Sequence, residues 1–559
     1  MVRLRHVHKM KVRLLSLLSL KVVAHSSRIM LACGRIAFPP CLPNARRNPR
    51  LFRCGTETSQ GSSIGGYSGK RKAVIVGSGW AGIGAAHHLC NQGFDVTVLE
   101  GDYGFGYPDT TASRGYYRAF QNIFSLVDEL GMKPFTNWTK SAQYSEEGLE
   151  VEFPIFQDLP QLPTPLGTLY YSRFFRIPLL DRLTFLPLVA AVIDFDNTDT
   201  AWRKYDSITA RELFKQFGCS ERLYQDILGP LVHVGLFAPA EQCSAAATLG
   251  LLNFIVLASQ KDFDIAWPRG AVKEKIFEPW MDSLRAKGCK FVENSRVTDL
   301  IFNEETGCVS EVVCGGVTYK ADAVIMAVAI STLQEIINKS PTLCSREDFL
   351  KVLNLGSVDV LSVKLWLDQK VKIPAATNAC SGFDNSFAWT FFDLNVIQDE
   401  HQSDSMTVLQ ADFYYANELL PLKDEQMVVK LKSYLSKYIK EFENAKVVDK
   451  EIGRYPKSLT HFFPGSYKNA LRGSTSFPNL FMAGDWIVNR HGSWAQEKSY
   501  VTGLEAANRV VDYLEEGSFA RILPVEEAEP HIQTLRNANK SFNDLRAQLS
   551  LSITQLLPP

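Results

Sequence analysis

The first regular pattern in the chain is a short apolar run followed by glycines and then by small residues. Ala73–Val76 is rich in β-branched residues, as a buried strand is, and Gly77–Gly82 follows it directly. The alanine-rich stretch Ile83–Asn91 has the composition of a helix, and Asp95–Leu99 alternates as a second strand. A strand, a glycine turn, a helix and a strand within about thirty residues have the size of one βαβ unit. We therefore predict a parallel sheet here.

The glycine turn has the spacing that brings a backbone close to a pyrophosphate. Gly77 permits the tight turn, Gly79 the close approach, and Gly82 the packing of the helix, whose first N–H groups then face an anion. Glu100 lies 18 residues beyond Gly82, where a carboxylate can accept both hydroxyls of an adenosine ribose. The alternative is a merely glycine-rich turn, but both strands, the helix and the acid are in register. The predicted dinucleotide site comprises Gly77, Gly79, Trp80, Ala81, Gly82 and Glu100, with the Trp80 ring expected to be a packing residue.

Two later blocks carry similar elements. Lys290–Ser331 contains strand-like segments, a hairpin signal at Gly315-Gly316 and a continuous apolar run at Ala323–Val328, as expected of a strand buried on both faces. Asn479–Asp485 is another buried strand, and Ser493–Tyr513 follows it as a predicted helix. Long insertions separate the blocks. We therefore predict an α/β fold, α+β overall, in which a Rossmann-like FAD-binding domain is interleaved with a substrate-binding domain.

The predicted segments follow from these blocks and from composition, since 56–70 is rich in Gly and Ser. They are a transit peptide (1–55), a linker (56–70), FAD-binding parts (71–165, 271–335 and 461–515), substrate-domain parts (166–270 and 336–460) and a C-terminal tail with an amphipathic helix (516–559).

The charge of the chain is distributed unevenly. The 559 residues include 60 Lys and Arg and 60 Asp and Glu, but twelve basic residues precede the first acidic one, Glu57. A long basic segment without acids is typical of an organelle transit peptide, and we predict a plastid, with a mitochondrion less favoured and Met30 as an alternative start. Alternatives are a secretory signal with Leu14–Leu20 as its core, and a basic nucleic-acid arm. The remainder has 48 basic and 60 acidic residues, which argues against nucleic acid as a partner.

The cysteines and two apolar stretches indicate which other kinds of site the chain can form. The eleven cysteines include no CxxC or Cys/His ligand spacing, so we predict no metal. Tyr170–Ile193 interleaves apolar, aromatic and Arg residues, which suits either a segment at a membrane surface or an ordinary core helix broken by Pro178 and Pro187. In the C-terminal tail an apolar stripe at helical spacing is expected to pack on its own domain; it comprises Ile532, Leu535, Phe542, Leu545 and Leu549.

The three blocks together resemble the flavin-containing amine oxidase superfamily, and within it the carotenoid (phytoene and ζ-carotene) desaturase branch of plant type. The resemblance spans about residues 70 to 514. It rests on an opening motif at Gly77–Glu100 (GSGWAGIGAAHHLCNQGFDVTVLE) and a closing motif at Asn479–Trp486 (NLFMAGDW). Phe120–Gly131 and Pro230–Leu249 are similar to further desaturase segments.

The resemblance implies FAD as the cofactor and a role for each matching residue. Gly77–Gly82 would hold the pyrophosphate, Glu100 the ribose, and the backbone of Val297 the adenine. Gly484 and Asp485 would meet the ribityl and phosphate region. A helix beginning near Trp494 would direct its N-terminal dipole at the flavin ring.

One departure bears on activity. After the ribose acid the family usually has Gly-Gly-Arg or Gly-Gly-Lys, whereas Gly101–Asp109 reads GDYGFGYPD. No catalytic side chain is predicted. The leading hypothesis is dehydrogenation of a carotenoid, isoprenoid or other apolar substrate by hydride transfer to flavin. Alternatives are a flavin amine oxidase with Trp486 and Trp494 as an aromatic cage, a flavoprotein without turnover, and a carotenoid isomerase. The oligomeric state and the electron acceptor are left open.

Overall fold

The computed structural model describes residues 69–556 except 102–103, 107–113, 256–258, 384–386, 494, 526 and 528. The predicted transit peptide and nearly all of the predicted linker lie outside this range. Within it, no helix combines the length and the apolar character needed to cross a bilayer.

The strands, in chain order, are β1 (Lys72–Val76), β2 (Asp95–Leu99), β3 (Tyr116–Tyr117), β4 (Ser141–Ser145), β5 (Gly148–Phe153), β6 (Arg173–Phe174), β7 (Ile265–Ala266), β8 (Lys290–Val292), β9 (Asp299–Phe302), β10 (Val309–Cys314), β11 (Val317–Lys320), β12 (Ala323–Met326), β13 (Gly356–Leu367), β14 (Thr377–Phe383), β15 (Phe387–Asp393), β16 (Val408–Tyr414), β17 (Val447–His461) and β18 (Leu480–Met482).

The α-helices are α1 (Trp80–Asn91), α2 (Gln121–Glu129), α3 (Leu166–Tyr171), α4 (Leu179–Leu183), α5 (Leu188–Asp194), α6 (Asp199–Tyr205), α7 (Ala210–Gln216), α8 (Glu221–Leu223), α9 (Gly229–Leu236), α10 (Ala245–Ile255), α11 (Glu278–Ala286), α12 (Ile330–Lys339), α13 (Pro341–Cys344), α14 (Glu347–Val352), α15 (Leu394–Ile397), α16 (Asp424–Tyr438), α17 (Gln496–Leu514) and α18 (Pro530–Leu556).

A five-stranded parallel sheet lies at the centre of the described chain, with the order β18-β12-β1-β2-β8. Successive side chains of a strand point to opposite faces. Accordingly Ala73 and Ile75 pack in one core with α1 and α17, whereas Val74 and Val76 pack in another with α12. Both faces are therefore apolar, which explains the continuous hydrophobic runs in the sequence.

An eight-stranded sheet forms the second layer, in the order β17-β13-β16-β15-β14-β4-β5-β6. Its pairs are antiparallel except for the parallel pair of β14 and β4. Strands β4 and β5 belong to this sheet although they fall within 71–165, which we predicted as the first FAD-binding part. The reason is a pairing with β14, more than two hundred residues later in the chain, which local pattern cannot show.

The apolar stretch Tyr170–Ile193 is not one helix, and it lies partly in the core: Leu188, Ala191 and Val192 are buried, whereas several of its earlier apolar side chains are exposed. Pro178 and Pro187 stand at the N-caps of α4 and α5, so the segment divides into short helices. We call the exposed apolar side chains here the apolar ridge; they are Leu166, Tyr170, Phe175, Leu179, Leu180 and Leu183, between 40% and 79% exposed.

The C-terminal helix α18 lies against α5. Arg536 Nε donates to the carbonyl oxygen of Ile193 (3.2 Å), and Lys540 forms an ion pair with Asp196 (2.8 Å). Of the predicted apolar stripe, Ile532 is buried, whereas Leu535 and Leu545 are exposed. The contact is therefore made by polar groups as well as by the stripe.

Candidate active site

A cleft opens at the carboxyl ends of β1, β2 and β12. About 1290 Å³ of space, part of it open to solvent, separates walls that come from all three sequence blocks. β2, which follows in the chain, pairs with one edge of β1, and β12, which comes much later, pairs with the other edge. Ligands of open α/β sheets bind where the strand order reverses in this way.

The glycine turn forms the floor of the cleft, because no side chain fits there. Gly77 has φ +100°, and a Cβ on it would lie 2.2 Å from the carbonyl oxygen of Ala327. A Cβ on Gly82 would lie 1.8 Å from the carbonyl oxygen of Gly77. Helix α1 starts at Trp80, so the N–H groups of Trp80, Ala81 and Gly82 have no acceptor within the helix. They face into the cleft. This bare cradle fits a pyrophosphate.

Glu100 is held at the end of β2 by the same turn. Its Oε2 accepts hydrogen bonds from the Ser78 N–H (2.9 Å) and from the Ser78 hydroxyl, and its Oε1 accepts from the Gly101 N–H (2.9 Å). Its carbonyl oxygen accepts from the Ser295 N–H (2.7 Å), which brings Val297 to the same wall. The structure thus gathers the predicted pyrophosphate, ribose and adenine residues at one end of the cleft.

The closing motif lies on the opposite side of the glycine turn. The Gly484 N–H donates to Thr502 Oγ1 (2.9 Å) on α17, and Asp485 lines the cleft. Burial raises the pKa of Asp485, while the ammonium of Lys498 opposes that rise. Helix α17 begins at Gln496, slightly later than predicted, because Ala495 is still extended (φ −173°). Trp494 lies outside the described residues.

The Trp80 ring is a core group, as expected of a packing residue. It is 1% exposed and contacts the rings of Tyr116, Phe277, Trp280 and Tyr500 at centroid distances of 5.3 to 6.3 Å. Aromatic rings at these distances and tilts attract one another. The main chain of Trp80 is therefore the part that contributes to the cleft.

Gly101–Asp109 is the segment that differs from the family's usual sequence. Its described residues fold back onto the glycine turn. The Gly106 N–H donates to the carbonyl oxygen of Ser78 (3.2 Å), and Phe105 is buried against Phe291, with ring centroids 5.5 Å apart. A Cβ on Gly106, at φ +83°, would meet the Phe277 ring at 2.6 Å. Phe105 and Gly106 thus pack beside the glycine turn without the usual Gly-Gly-Arg sequence.

Sequence reasoning missed several polar residues of the cleft. Arg114, Ser458 and Gln496 all line it, and each has a buried polar atom without a hydrogen-bond partner. Lys498 is buried just behind it and donates to the carbonyl oxygen of Ser493 (2.7 Å). Burial lowers the pKa of Lys498 to about 8. The only available signal was the presence of charged residues, such as Lys498, within otherwise small or apolar stretches.

A family model described as flavin containing amine oxidoreductase matches residues 80–511, which is more than half of the chain and runs from the start of α1 into α17. The chain belongs to this family. As a flavin-containing amine oxidoreductase it is an FAD-dependent oxidoreductase, so the predicted cofactor and enzyme class are confirmed. The glycine cradle and Glu100 fit that cofactor.

Its relatives include carotenoid desaturases. It is 21% identical to the chloroplastic/chromoplastic 15-cis-phytoene desaturase of Capsicum annuum, over 79% of this chain and 78% of the relative. It is 21% identical to the 15-cis-phytoene desaturase of Synechococcus elongatus (82% and 100%) and 20% identical to a probable zeta-carotene desaturase of the same organism (79% and 98%). The predicted likeness to the carotenoid desaturase branch is confirmed.

Solved structures of the family confirm the fold class. Cyclohexylamine oxidase from Brevibacterium oxydans superposes with a TM-score of 0.61 at 14% identity, covering 80% of this chain and 100% of that one. A putative protoporphyrinogen oxidase from Exiguobacterium gives a TM-score of 0.56 at 15% identity, with the same coverage. At such low identity these structures establish the α/β fold of this oxidoreductase and nothing about its substrate.

Proposed function

We propose that this oxidoreductase dehydrogenates a carotenoid, isoprenoid or other apolar substrate in a plastid. The observation that carries the proposal is the match to both phytoene and zeta-carotene desaturases along about four fifths of the chain. The names of the plant relatives and the basic N-terminal segment support the compartment.

The chain supplies position and electrostatics for this reaction. FAD, when bound, supplies a two-electron acceptor for the hydride. Gly77–Gly82 and Glu100 would hold its adenosine and pyrophosphate, and Gly484 and Asp485 its ribityl region. The N-terminus of α17 would then place its partial positive charge toward the flavin ring, where it stabilises negative charge. The reaction would remove a hydride from one substrate carbon and a proton from its neighbour, and leave a double bond between the two carbons.

We also propose peripheral contact with a membrane through the apolar ridge. Tyr170 is 74% exposed, Leu179 65% and Leu180 79%, which is a large apolar surface for a water-facing position. Arg173 and Arg176 stand beside it with 72% and 39% of their side chains exposed. Both arginines pair with glutamates, so insertion of the apolar side chains rather than net charge would carry the contact with the bilayer, from which an apolar substrate would come.

Conversion of carotenoid precursors tests the dehydrogenation. The full-length protein is co-produced in a bacterial host that accumulates phytoene or ζ-carotene, and lipid extracts are analysed by chromatography and mass spectrometry. We expect a product with one pair of hydrogens fewer from at least one precursor. Glu100→Gln serves as the matched control, because loss of the carboxylate weakens the ribose contact and lowers flavin occupancy of the purified protein at least about tenfold. A flavin-loaded wild type that leaves both precursors unchanged would contradict the proposed substrates.

A further inference from the structure

Three polar side chains converge on the cleft with hydrogen-bonding groups that no described residue satisfies. Arg114 and Gln496 are each 3% exposed and Ser458 is 5% exposed. The atoms without a described partner are Arg114 Nη2, both amide atoms of Gln496 and Ser458 Oγ. They come from the loop before β3, the start of α17 and β17, so three separate elements bring them together. Buried polar groups nearly always have partners, and such a convergence indicates a ligand.

Gln496 is next to Ala495 and Asp485 and therefore belongs with the flavin side of the cleft. Arg114 points elsewhere. Its guanidinium carbon lies 5.5 Å from the centroid of the Phe237 ring and 5.7 Å from that of the Tyr414 ring. These two rings come from the end of α9 and the end of β16, and neither is among the residues that line the cleft. Arg114 thus joins the cofactor cleft to an aromatic wall on the side of the second sheet.

The two side chains that contact the guanidinium, Tyr414 and Phe237, are neutral. The one described hydrogen bond of the guanidinium is from Nη1 to the Tyr414 hydroxyl, and at 3.4 Å it is long. Burial raises the pKa of Tyr414 to about 12, so its hydroxyl keeps its proton. No described carboxylate forms an ion pair with Arg114; its described partners are Tyr414 and Phe237.

His233 holds this wall in place without adding charge. The Ala388 N–H donates to His233 Nδ1 (3.2 Å), so Nε2 carries the hydrogen and donates to the carbonyl oxygen of Tyr414 (3.1 Å). Burial lowers the pKa of His233 to about 4, which keeps the ring neutral. Tyr414 is thereby fixed at its main chain, and its ring and hydroxyl hold the guanidinium in one orientation.

A buried arginine without an anion defines the chemistry of its missing partner. Guanidinium is always charged and presents N–H groups in a fork that matches a carboxylate. A hydrocarbon placed here would leave Nη2 unsatisfied, and an ammonium would be repelled by the like charge. An apolar molecule that ends in a carboxylate satisfies both the cation and the aromatic wall.

We propose that Arg114 binds a carboxylate, so that the cleft prefers apolar, isoprenoid-like acids over neutral molecules with the same carbon skeleton. This inference rests on the proposed function, because it assigns the substrate class of the same cleft. Tyr414 and Phe237 position the guanidinium, and the apolar tail of the acid lies toward the flavin.

Binding of an acid and its ester, by the wild type and by matched variants, tests whether Arg114 binds a carboxylate. The probes are all-trans-retinoic acid and its methyl ester, which share one carbon skeleton and differ in charge; binding to the full-length protein is followed by the absorption of the retinoid itself. Arg114→Met removes the charge and keeps much of the apolar stem, and Arg114→Lys keeps the charge without the fork. Arg118→Met is the matched control, since Arg118 lies over Trp138 and donates to Gln157 (2.8 Å) away from the cleft.

We expect the wild type to bind the acid at least tenfold more tightly than the ester. Arg114→Met should lose at least tenfold for the acid and change less than twofold for the ester, Arg114→Lys should fall between, and Arg118→Met should match the wild type. Equal binding of acid and ester by the wild type, or binding of neither, would overturn the proposal. So would release of FAD by Arg114→Met with unchanged acid binding, which would make Arg114 a flavin contact. A wild type that carries no FAD but binds the acid more tightly than the ester would refute the proposed function without refuting the binding of a carboxylate by Arg114.

Discussion

At the scale of single residues, Glu497 shows how a buried acid organises the site. It is 1% exposed; its Oε1 accepts hydrogen bonds from the Asn122 N–H (2.8 Å) and side-chain amide (2.7 Å), and its Oε2 from the Ile123 N–H (3.0 Å). These main-chain N–H groups belong to the first turn of α2, where no intrahelical acceptor exists. One carboxylate therefore joins α17 to the start of α2.

Burial raises the pKa of Glu497 to about 7 from its ordinary 4.5. The folded protein therefore keeps a proton that the unfolded chain releases, and the free energy of unfolding falls as pH rises from 4.5 to 7. The contribution of this one group is about 3 kcal/mol. Since a glutamine cannot ionise, Glu497→Gln should lose less stability than the wild type between pH 5 and pH 8, as measured by melting temperature at both values.

Glu304→Gln, on an exposed hairpin, is the control and should follow the wild type at both pH values. Identical pH dependence of the wild type and Glu497→Gln would contradict the assignment of the titration to Glu497.

Residues of the cleft differ in how far the sequence predicts them. Gly77, Gly82 and Glu100 were predictable, because their backbone geometry and spacing carry the chemistry locally. Arg114 and Glu497 were not predicted. Their importance comes from burial and from contacts such as those with Tyr414 and Asn122, which are remote in the chain.

At the scale of elements, α1 and α17 pack with almost no space between their backbones. A Cβ on Gly503 would lie 2.1 Å from the carbonyl oxygen of Ala81, and a Cβ on Gly84 would lie 2.7 Å from the Tyr500 ring. Helix α17 therefore fixes the position of the first turn of α1, which faces the cleft. The two halves of the cofactor site depend on one helix contact.

Gly503→Ala should push α1 away from α17. We expect a loss of about 1–3 kcal/mol in the free energy of unfolding, as for other overpacked cores, and at least a tenfold weaker affinity for FAD, read from flavin fluorescence during titration. Gly316→Ala is the control, because a Cβ there meets nothing within 4 Å. A Gly503→Ala protein with wild-type stability and wild-type FAD affinity would show that the helices can separate without cost.

Element prediction succeeded where the pattern was local and failed where pairing was distant. The strands β1, β2, β12 and β18 follow from apolar runs. The membership of β4 and β5 in the second sheet depends on β14, and nothing within 141–153 indicates that partner. Tyr170–Ile193 combined helical composition with two prolines, and only the structure shows that its first half leaves apolar groups such as Leu179 and Leu180 exposed while Leu188 is buried.

At the scale of the whole molecule, the apolar ridge predicts how the protein meets a bilayer. The double variant Leu179→Glu/Leu180→Glu should lose most of its binding to vesicles of phosphatidylcholine and phosphatidylglycerol in a flotation assay, because it places charge where apolar groups would insert. Val429→Glu changes an equally exposed apolar residue, 70% exposed on α16, and should float like the wild type. Equal flotation of all three proteins, or flotation of none, would contradict the proposed contact.

The order of strands in the central sheet has a consequence for how the protein is made. β1 is the first of the described strands to leave the ribosome, yet its neighbour β12 ends at Met326, and the edge strand β18 is complete only at Met482. Until those segments are synthesised, the apolar run Ala73–Val76 has no complete sheet to join, and exposed apolar strands of this kind aggregate. We therefore expect the nascent chain to depend on chaperones until β18 has been synthesised, and FAD to bind only after that point.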